Sequence, residues 1–268
     1  MSNEPRESKK TTKEKAATAR AAAEAEQRKR DNRVRLIGGV AIAIVVALIV
    51  GIGFFGSRKD STTASVVDDA RVPTGVNTAA GDNPWGVPYN KAEGKPTLAI
   101  WEDFQCPACA SLEAKSGAEF VKLADAGKIN LVWRPTSFLD PRFLSGPNAN
   151  SSQRATAAWG CAINADAAAK YHSTVFANQP ATEGQGWSQA QLIEFGTTAG
   201  ITGEAFTTFE TCVNDSPYTQ WAINSYQTFL TEAVPGTPAA FLDGTEVPTA
   251  TLIDPVALEK LISEATGK

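Results

Sequence analysis

The sequence predicts an α/β fold with an inserted α-helical domain, preceded by one N-terminal transmembrane helix. Three observations carry that reading. A β-prone run leads straight into Cys106-Pro107-Ala108-Cys109 and then into a helical pattern. Strand signals return at Asn130 to Pro135 and after Pro238, whereas residues 145–230 show helical stretches and no convincing strand. Leu36 to Phe55 is an apolar run of 20 residues without a charge.

Taken from the N-terminus, residues 1–35 form a basic tail with 11 Lys and Arg against 6 Asp and Glu. The other 233 residues carry 14 against 23, and together these give the net charge of −4. An acidic body argues against a nucleic-acid partner. The run from Leu36 to Phe55, within an anchor of residues 36–56, would span roughly 30 Å as a helix, the thickness of a bilayer's hydrocarbon core. A buried core helix is not normally apolar on every face for this length. A cleavable signal peptide fits poorly with the long head and with the absence of a small-x-small site before Ser57. Arg28, Lys29, Arg30, Arg33 and Arg35 crowd the N-terminal side of the run, against Arg58 and Lys59 on the other. The positive-inside rule then puts residues 1–35 in the cytoplasm and the rest of the chain outside the cell membrane. Residues 57–83, rich in Gly, Pro, Asn, Thr and Asp, are expected to be a linker, and residues 84–268 the folded domain.

Within that domain Thr97 to Phe104 is apolar and β-prone, and Ala110 to Ala126 places Leu112, Phe120 and Leu123 at helical spacing. Asn130 to Pro135 is the second strand. Ala239 to Leu242 and Glu246 to Thr249 flank an Asp243-Gly244 turn and read as a hairpin. Asp254 and Pro255 mark the start of a closing helix to Ala265, with Val256, Leu258, Leu261 and Ile262 expected to face inward.

The four cysteines are the most informative residues. Outside the cytoplasm an even number suggests disulfides, with three pairings open. Cys106 sits where a strand meets a helix N-terminus, and unpaired backbone N–H groups there stabilise a thiolate. Two intervening residues allow Cys109 to attack Cys106 when the latter is held in a mixed disulfide. Cys106 is thus the expected nucleophile and Cys109 the resolving thiol, with zinc or a purely structural disulfide as the alternatives. Cys161 and Cys212 both fall in the helical insertion and read as a staple between two helices, or else as a second redox couple. No phosphate loop, nucleophile elbow or metal-ligand cluster appears, so no cofactor and no metal are expected. The single histidine, His172, reads as a surface or capping residue of a helix rather than a base. The six tryptophans read as mostly core, with Trp101 and Trp159 as candidates to line a cleft.

The motifs FQCPAC (Phe104 to Cys109) and GTPAAFLDG (Gly236 to Gly244), with the helical insertion between them, resemble those of membrane-anchored DsbA-like thiol–disulfide oxidoreductases of the thioredoxin superfamily, the type found in actinobacteria and other Gram-positive bacteria. The resemblance covers about Pro84 to Lys268 and implies a thioredoxin-like fold. It implies that Pro238, after Thr237, is cis, lies beside the two cysteines and orients substrate backbone. It also implies a buried carboxylate that accepts the Cys109 proton. Glu102 and Asp103 alternate faces of the strand; Asp103 is the candidate, weighed against a solvated carboxylate at the strand end. The dipeptide Pro107-Ala108 lacks the histidine of the most oxidising members, so a less depressed nucleophile is expected. The implied activity is introduction of disulfides into reduced exported proteins, by a monomer reoxidised by a quinone-linked membrane enzyme of the DsbB or vitamin K epoxide reductase type. A reductase or isomerase with the same site, or a tethered binding module, are the alternatives.

Overall fold

The computed structural model describes residues 66–266, residue 68 apart. The expected anchor at 36–56 and tail at 1–35 lie outside these residues; among the described residues no helix is long and apolar enough to cross a membrane. The strands are β1 (Val87–Pro88), β2 (Thr97–Glu102), β3 (Asn130–Pro135), β4 (Ala239–Leu242) and β5 (Thr245–Val247), joined in one sheet of order β1-β3-β2-β4-β5. β2 and β3 are parallel, and the other neighbours are antiparallel. A parallel pair needs a crossover, and it is supplied by α1 (Pro107–Leu112), a π-helical turn (Glu113–Gly117) and α2 (Ala118–Asp125). The sequence pattern predicts one continuous helix here. The π turn interrupts it, and the Glu113 carboxyl lies over Gly117, where a Cβ would collide with it.

β2 lies at the centre, and its two faces differ. Trp101 and, in register beside it on β3, Arg134 share one face. There the Arg134 guanidinium lies 3.9 Å from the Trp101 ring centroid and pairs with both Glu232 oxygens at 2.6 and 2.7 Å. Glu102 and Trp133 point to the other face, which the helical insertion covers.

That insertion runs through α3 (Ser151–Ile163), α4 (Ala168–Ala177), α5 (Gln189–Thr198), α6 (Gly203–Asp215) and α7 (Thr219–Thr231). α3 is its axis and touches each of the other four. Its run of Ala, Ser and Gly makes that approach feasible: a Cβ on Gly160 would sit 2.7 Å from the Tyr218 ring. The chain then returns through β4 and β5 to a short α8 (Thr249–Leu252) and α9 (Pro255–Thr266). Asp254 caps α9 by accepting from the N–H groups of Val256 and Ala257 at 3.0 and 3.2 Å.

Several expectations are corrected. The described part of the supposed linker, from Val66 onward, packs on the domain: Val67 exchanges two hydrogen bonds with the buried Asn224 side chain, and Val76 joins the core. Its polar composition concealed this, because its partners lie about 90 to 157 residues away. The two-residue strand β1 went unseen; Pro88 fits there because β1 is a sheet edge. Thr249 begins α8 rather than ending the hairpin, and Val256 is 78% exposed because it lies two residues before the buried Leu258 and so on the opposite side of the helix.

Cys161 on α3 and Cys212 on α6 form a disulfide across 51 residues of chain. In the chain-entropy account, closing a loop of that size contributes about 4 kcal/mol. Cys161→Ala should therefore lower the unfolding free energy by about that amount while thiol exchange at Cys106 survives, which guanidinium unfolding curves and an insulin-reduction assay on the same variant would show.

Candidate active site

Two backbone features bring the sequence motifs together. β2 delivers its C-terminal end at Glu102, and the next turn places Cys106 as the N-cap of α1, with Pro107 at the first helical position and the Cys106 N–H bonded to the Asp103 carbonyl at 2.9 Å. β4 runs antiparallel to β2 with Ala239 opposite Trp101, so the residues just before it, Thr237 and Pro238, arrive beside the same end. The Thr237–Pro238 peptide is cis, and the Thr237 carbonyl accepts from the Cys106 thiol at 3.4 Å.

Cys106 and Cys109 are both free thiols, yet their surroundings push them apart. Cys106 keeps 7% of its surface, and Cys109 keeps none. The Cys106 sulfur is drawn down to about 6, first by a hydrogen bond from the Cys109 thiol, then by Thr237 and the backbone N–H groups of Cys109 and Ala108. Cys109 is held well above the ordinary thiol range by burial, by donating to Cys106 and by the nearby charges of Cys106 and Glu102. One thiol is thus poised as a nucleophile and leaving group, and the other as a protonated partner behind it.

The carboxyl expectations are revised by geometry. Asp103 is fully buried, but it faces a structural network rather than Cys109: its Oδ1 accepts from the Gln105 N–H at 2.8 Å and from Ser152 Oγ at 2.6 Å, and its Oδ2 from the Leu139 N–H at 2.9 Å. Burial nonetheless pushes it up to about 7. Asp140 continues the network, accepting from Gln105 Nε2 and from the Ser152 and Gln153 N–H groups at the start of α3. This network ties the turn before Cys106 to the insertion.

The acid whose charge reaches both thiols is Glu102, one residue earlier. Its Oε2 lies 3.1 Å from Nε2 of His172, whose Nδ1 in turn faces Glu113 Oε2 at 3.8 Å. His172 is therefore not at a helix surface: it is 2% exposed and stacked among Phe104, Trp133, Trp159 and Phe176 with ring centroids 4.8 to 5.5 Å away. Trp101 and Trp159 are likewise fully buried, and Trp159 borders only a small cavity of about 10 Å³ that it shares with Glu102, Phe104 and His172. The donor atoms of Glu102, Glu113 and His172 lie within 4.8 Å of one another. Because His172 turns a different nitrogen to each carboxyl, the arrangement suits shared protons better than a metal. Gln179, just beyond α4, donates to the carbonyls of Phe104 and Cys106 at 2.8 and 3.0 Å and holds the cysteine turn in place. Neither His172 nor Gln179 carries a sequence signal for this position, since the insertion that brings them is about 70 residues downstream.

With the geometry described, the relationships are clear. The Thioredoxin family matches residues 87–264, about two thirds of the chain. The chain belongs to that family. DsbA of Mycobacterium tuberculosis in its oxidised form is 28% identical, with a TM-score of 0.53 over 72% of this chain and 89% of that one. The reduced disulfide-bond oxidoreductase DsbG of the same organism is 26% identical, also at 0.53, over 74% and 86%. MdbA of Actinomyces oris, a thiol-disulfide oxidoreductase at 18% identity, shares the fold with a TM-score of 0.59 over 75% and 96%. No curated protein sequence matches. This thioredoxin-family chain is DsbA-like, with structural neighbours that are thiol–disulfide oxidoreductases of actinobacteria and other Gram-positive bacteria.

Two outcomes follow from these environments. Iodoacetamide labelling of the reduced protein across pH should give a single midpoint near about 6 at Cys106 and leave Cys109 unmodified, as peptide mapping would show. Burial and the neighbouring Glu102 charge push Glu113 up to about 8 from an ordinary 4.5, so the folded state binds a proton that an unfolded glutamate has lost. Its stabilising contribution is complete below pH 4.5 and is lost as pH rises to 8. Glu113→Gln should flatten that part of the stability profile, measurable as a smaller difference in Tm between pH 5 and pH 8.

Proposed function

We propose that the protein introduces disulfides into reduced proteins exported across the cell membrane, using Cys106 and Cys109 as its exchange couple. The observation that carries this reading is the asymmetry of the two thiols, with Cys106 drawn to about 6 and Cys109 fully buried behind it. A stabilised Cys106 thiolate favours the reduced form of the couple, which makes the disulfide form an oxidant. A substrate thiolate bonds to Cys106 Sγ, the Cys106–Cys109 bond breaks, and Cys109 leaves with the electron pair and is protonated. A second substrate thiolate then attacks the substrate sulfur of the mixed disulfide. The substrate disulfide forms, and Cys106 departs as a thiolate.

The cis Thr237–Pro238 peptide, whose carbonyl meets the Cys106 thiol, is the element that presents substrate backbone to Cys106 in this reading. The apolar run from Leu36 to Phe55 and the basic tail before it support a single membrane anchor with the catalytic domain outside the cytoplasm. An anchored oxidase needs its electrons removed, and a quinone-linked enzyme in the same membrane is the reoxidant this placement favours. The Cys161–Cys212 bond, two helices away from the couple and without a neighbouring free thiol, acts as a structural staple.

The test is oxidative refolding of a reduced, disulfide-containing substrate by the full-length protein. Cys106→Ala should abolish it, and Cys109→Ala given oxidised glutathione should accumulate a mixed disulfide at Cys106, since the Cys106 thiolate opens the glutathione disulfide, one glutathione leaves as a thiolate, and no second cysteine resolves the product. The equilibrium potential against glutathione should fall between about −120 and −270 mV, nearer the oxidising end. A potential at the reducing end would point instead to a reductase fed with electrons by a membrane donor.

A further inference from the structure

Between α7 and β4 the chain makes a loop, Ala233 to Pro238, that ends beside Cys106. The loop holds itself up poorly. The Ala233 N–H donates to the Leu230 carbonyl at 3.1 Å and the Val234 N–H to Phe229 at 3.2 Å, which closes α7, but Pro235 and Pro238 have no N–H to give. Nothing lies within 4 Å of where a Cβ on Gly236 would stand. Ala233 adopts a left-handed φ of 52°, a conformation that favours glycine, so the turn is held against its own preference. Arg134, Glu232 and Val234 also line an open groove of about 590 Å³, so no packed layer covers the start of the loop on that side. What ties that start down is Glu232, the C-cap of α7, whose two carboxyl oxygens accept from the Arg134 guanidinium at 2.6 and 2.7 Å. Arg134 is itself fixed. Its side chain is only 5% exposed, its guanidinium lies 3.9 Å from the Trp101 ring centroid, and its Nη2 also donates to the Pro84 carbonyl at 3.3 Å. Trp101 stands in register beside Arg134 and opposite Ala239, the residue after Pro238. A forked pair fixes orientation as well as distance. The start of the loop is thereby referred to the strand that delivers Cys106.

We infer that Arg134, acting through Glu232, is a positioning residue that holds the Thr237–Pro238 loop where a substrate backbone meets it beside Cys106. The inference rests on the exchange reaction proposed above and extends it to a residue of β3 whose own partners are Glu232, Trp101 and Pro84. Arg134 makes and breaks no bond in that reaction. With the pair intact, the loop keeps the position in which the Thr237 carbonyl lies 3.4 Å from Cys106 Sγ. With the pair broken, the loop divides its time among several positions, and only a fraction of the molecules presents its edge to a substrate. A polypeptide must then select that fraction. Its half-saturating concentration rises by the inverse of the fraction, while the rate at saturation stays the same. A small thiol with no peptide backbone needs no such presentation and reacts with every molecule alike.

Two variants separate this role from mere packing. Arg134→Lys keeps the charge but loses the fork and the stacking plane. Glu232→Gln keeps the shape and removes the charge. The oxidised full-length protein is mixed with a short synthetic peptide carrying one cysteine, or with 2-mercaptoethanol, and quenched in acid. The incoming thiolate bonds to Cys106 Sγ and Cys109 leaves with the electron pair, so mass spectrometry of the mixed disulfide at Cys106 gives the initial rate. Each variant should raise the half-saturating peptide concentration by about tenfold, as when a tenth of the molecules keep the loop in place, with the limiting rate unchanged. The rate with 2-mercaptoethanol should match wild type. The double variant should lose little more than either single one, because both break the same pair. Circular dichroism checks the fold of each; if Arg134→Lys fails to fold, Glu232→Gln, at a side chain 36% exposed, decides. A folded variant with the wild-type half-saturating concentration overturns the inference. So does a loss that falls on the limiting rate, or one that is equal for 2-mercaptoethanol and the peptide. Absence of any mixed disulfide from the wild-type protein with either thiol is a separate outcome and overturns the exchange function instead.

Discussion

The pairing of β2 with β3 on one side and β4 on the other is the constraint on which the rest depends. Parallel pairing with β3 forces a helical crossover whose first residue is Cys106, and antiparallel pairing with β4 brings Thr237 and Pro238 to the same strand end. A nucleophile at a helix N-terminus and a loop carbonyl 3.4 Å from its sulfur are thus consequences of register. A slip of one residue in either pair would exchange the faces that Trp101 and Glu102 occupy and separate these parts.

Placing polar chemistry at the end of a central strand costs desolvation, and the chain meets that cost differently for two consecutive carboxyls. Asp103 receives three hydrogen bonds and becomes a structural pin between the cysteine turn and α3. Glu102 receives an imidazole and a second carboxyl and remains strongly perturbed. The same logic separates the thiols. Cys106 gathers hydrogen bonds from the Cys109 thiol and two backbone N–H groups, whereas Cys109 gathers none that favour its charge beyond one from the Asp103 backbone. Neighbours, and not the residue types themselves, decide which group is charged at neutral pH.

The helical insertion is therefore part of the site as well as its roof. Ser152, His172 and Gln179 reach the turn around Cys106 from three places along it. The Cys161–Cys212 bond fastens α3 to α6 and so steadies the axis from which the insertion is built. A domain that looks like a separate module in the chain is joined to the thioredoxin core by a buried polar network with few exposed members.

What the sequence determined by itself was local. The cysteine spacing, the proline after Cys106, the Asp254 cap, the turn at Asp243-Gly244 and the strands Asn130–Pro135 and Ala239–Leu242 depend on neighbours a few residues apart, and that chemistry is written in consecutive letters. The resemblance in FQCPAC and GTPAAFLDG added the fold that joins them. Tertiary structure decided which carboxyl meets the imidazole and which becomes a structural pin, where the lone histidine lies, and that the stretch before Pro84 packs on the domain. Each of those outcomes is set by burial against partners 49 to 157 residues away. Alternation along β2 could place Glu102 and Asp103 on opposite faces, but only the insertion folded over one of those faces determined that both would lose their water.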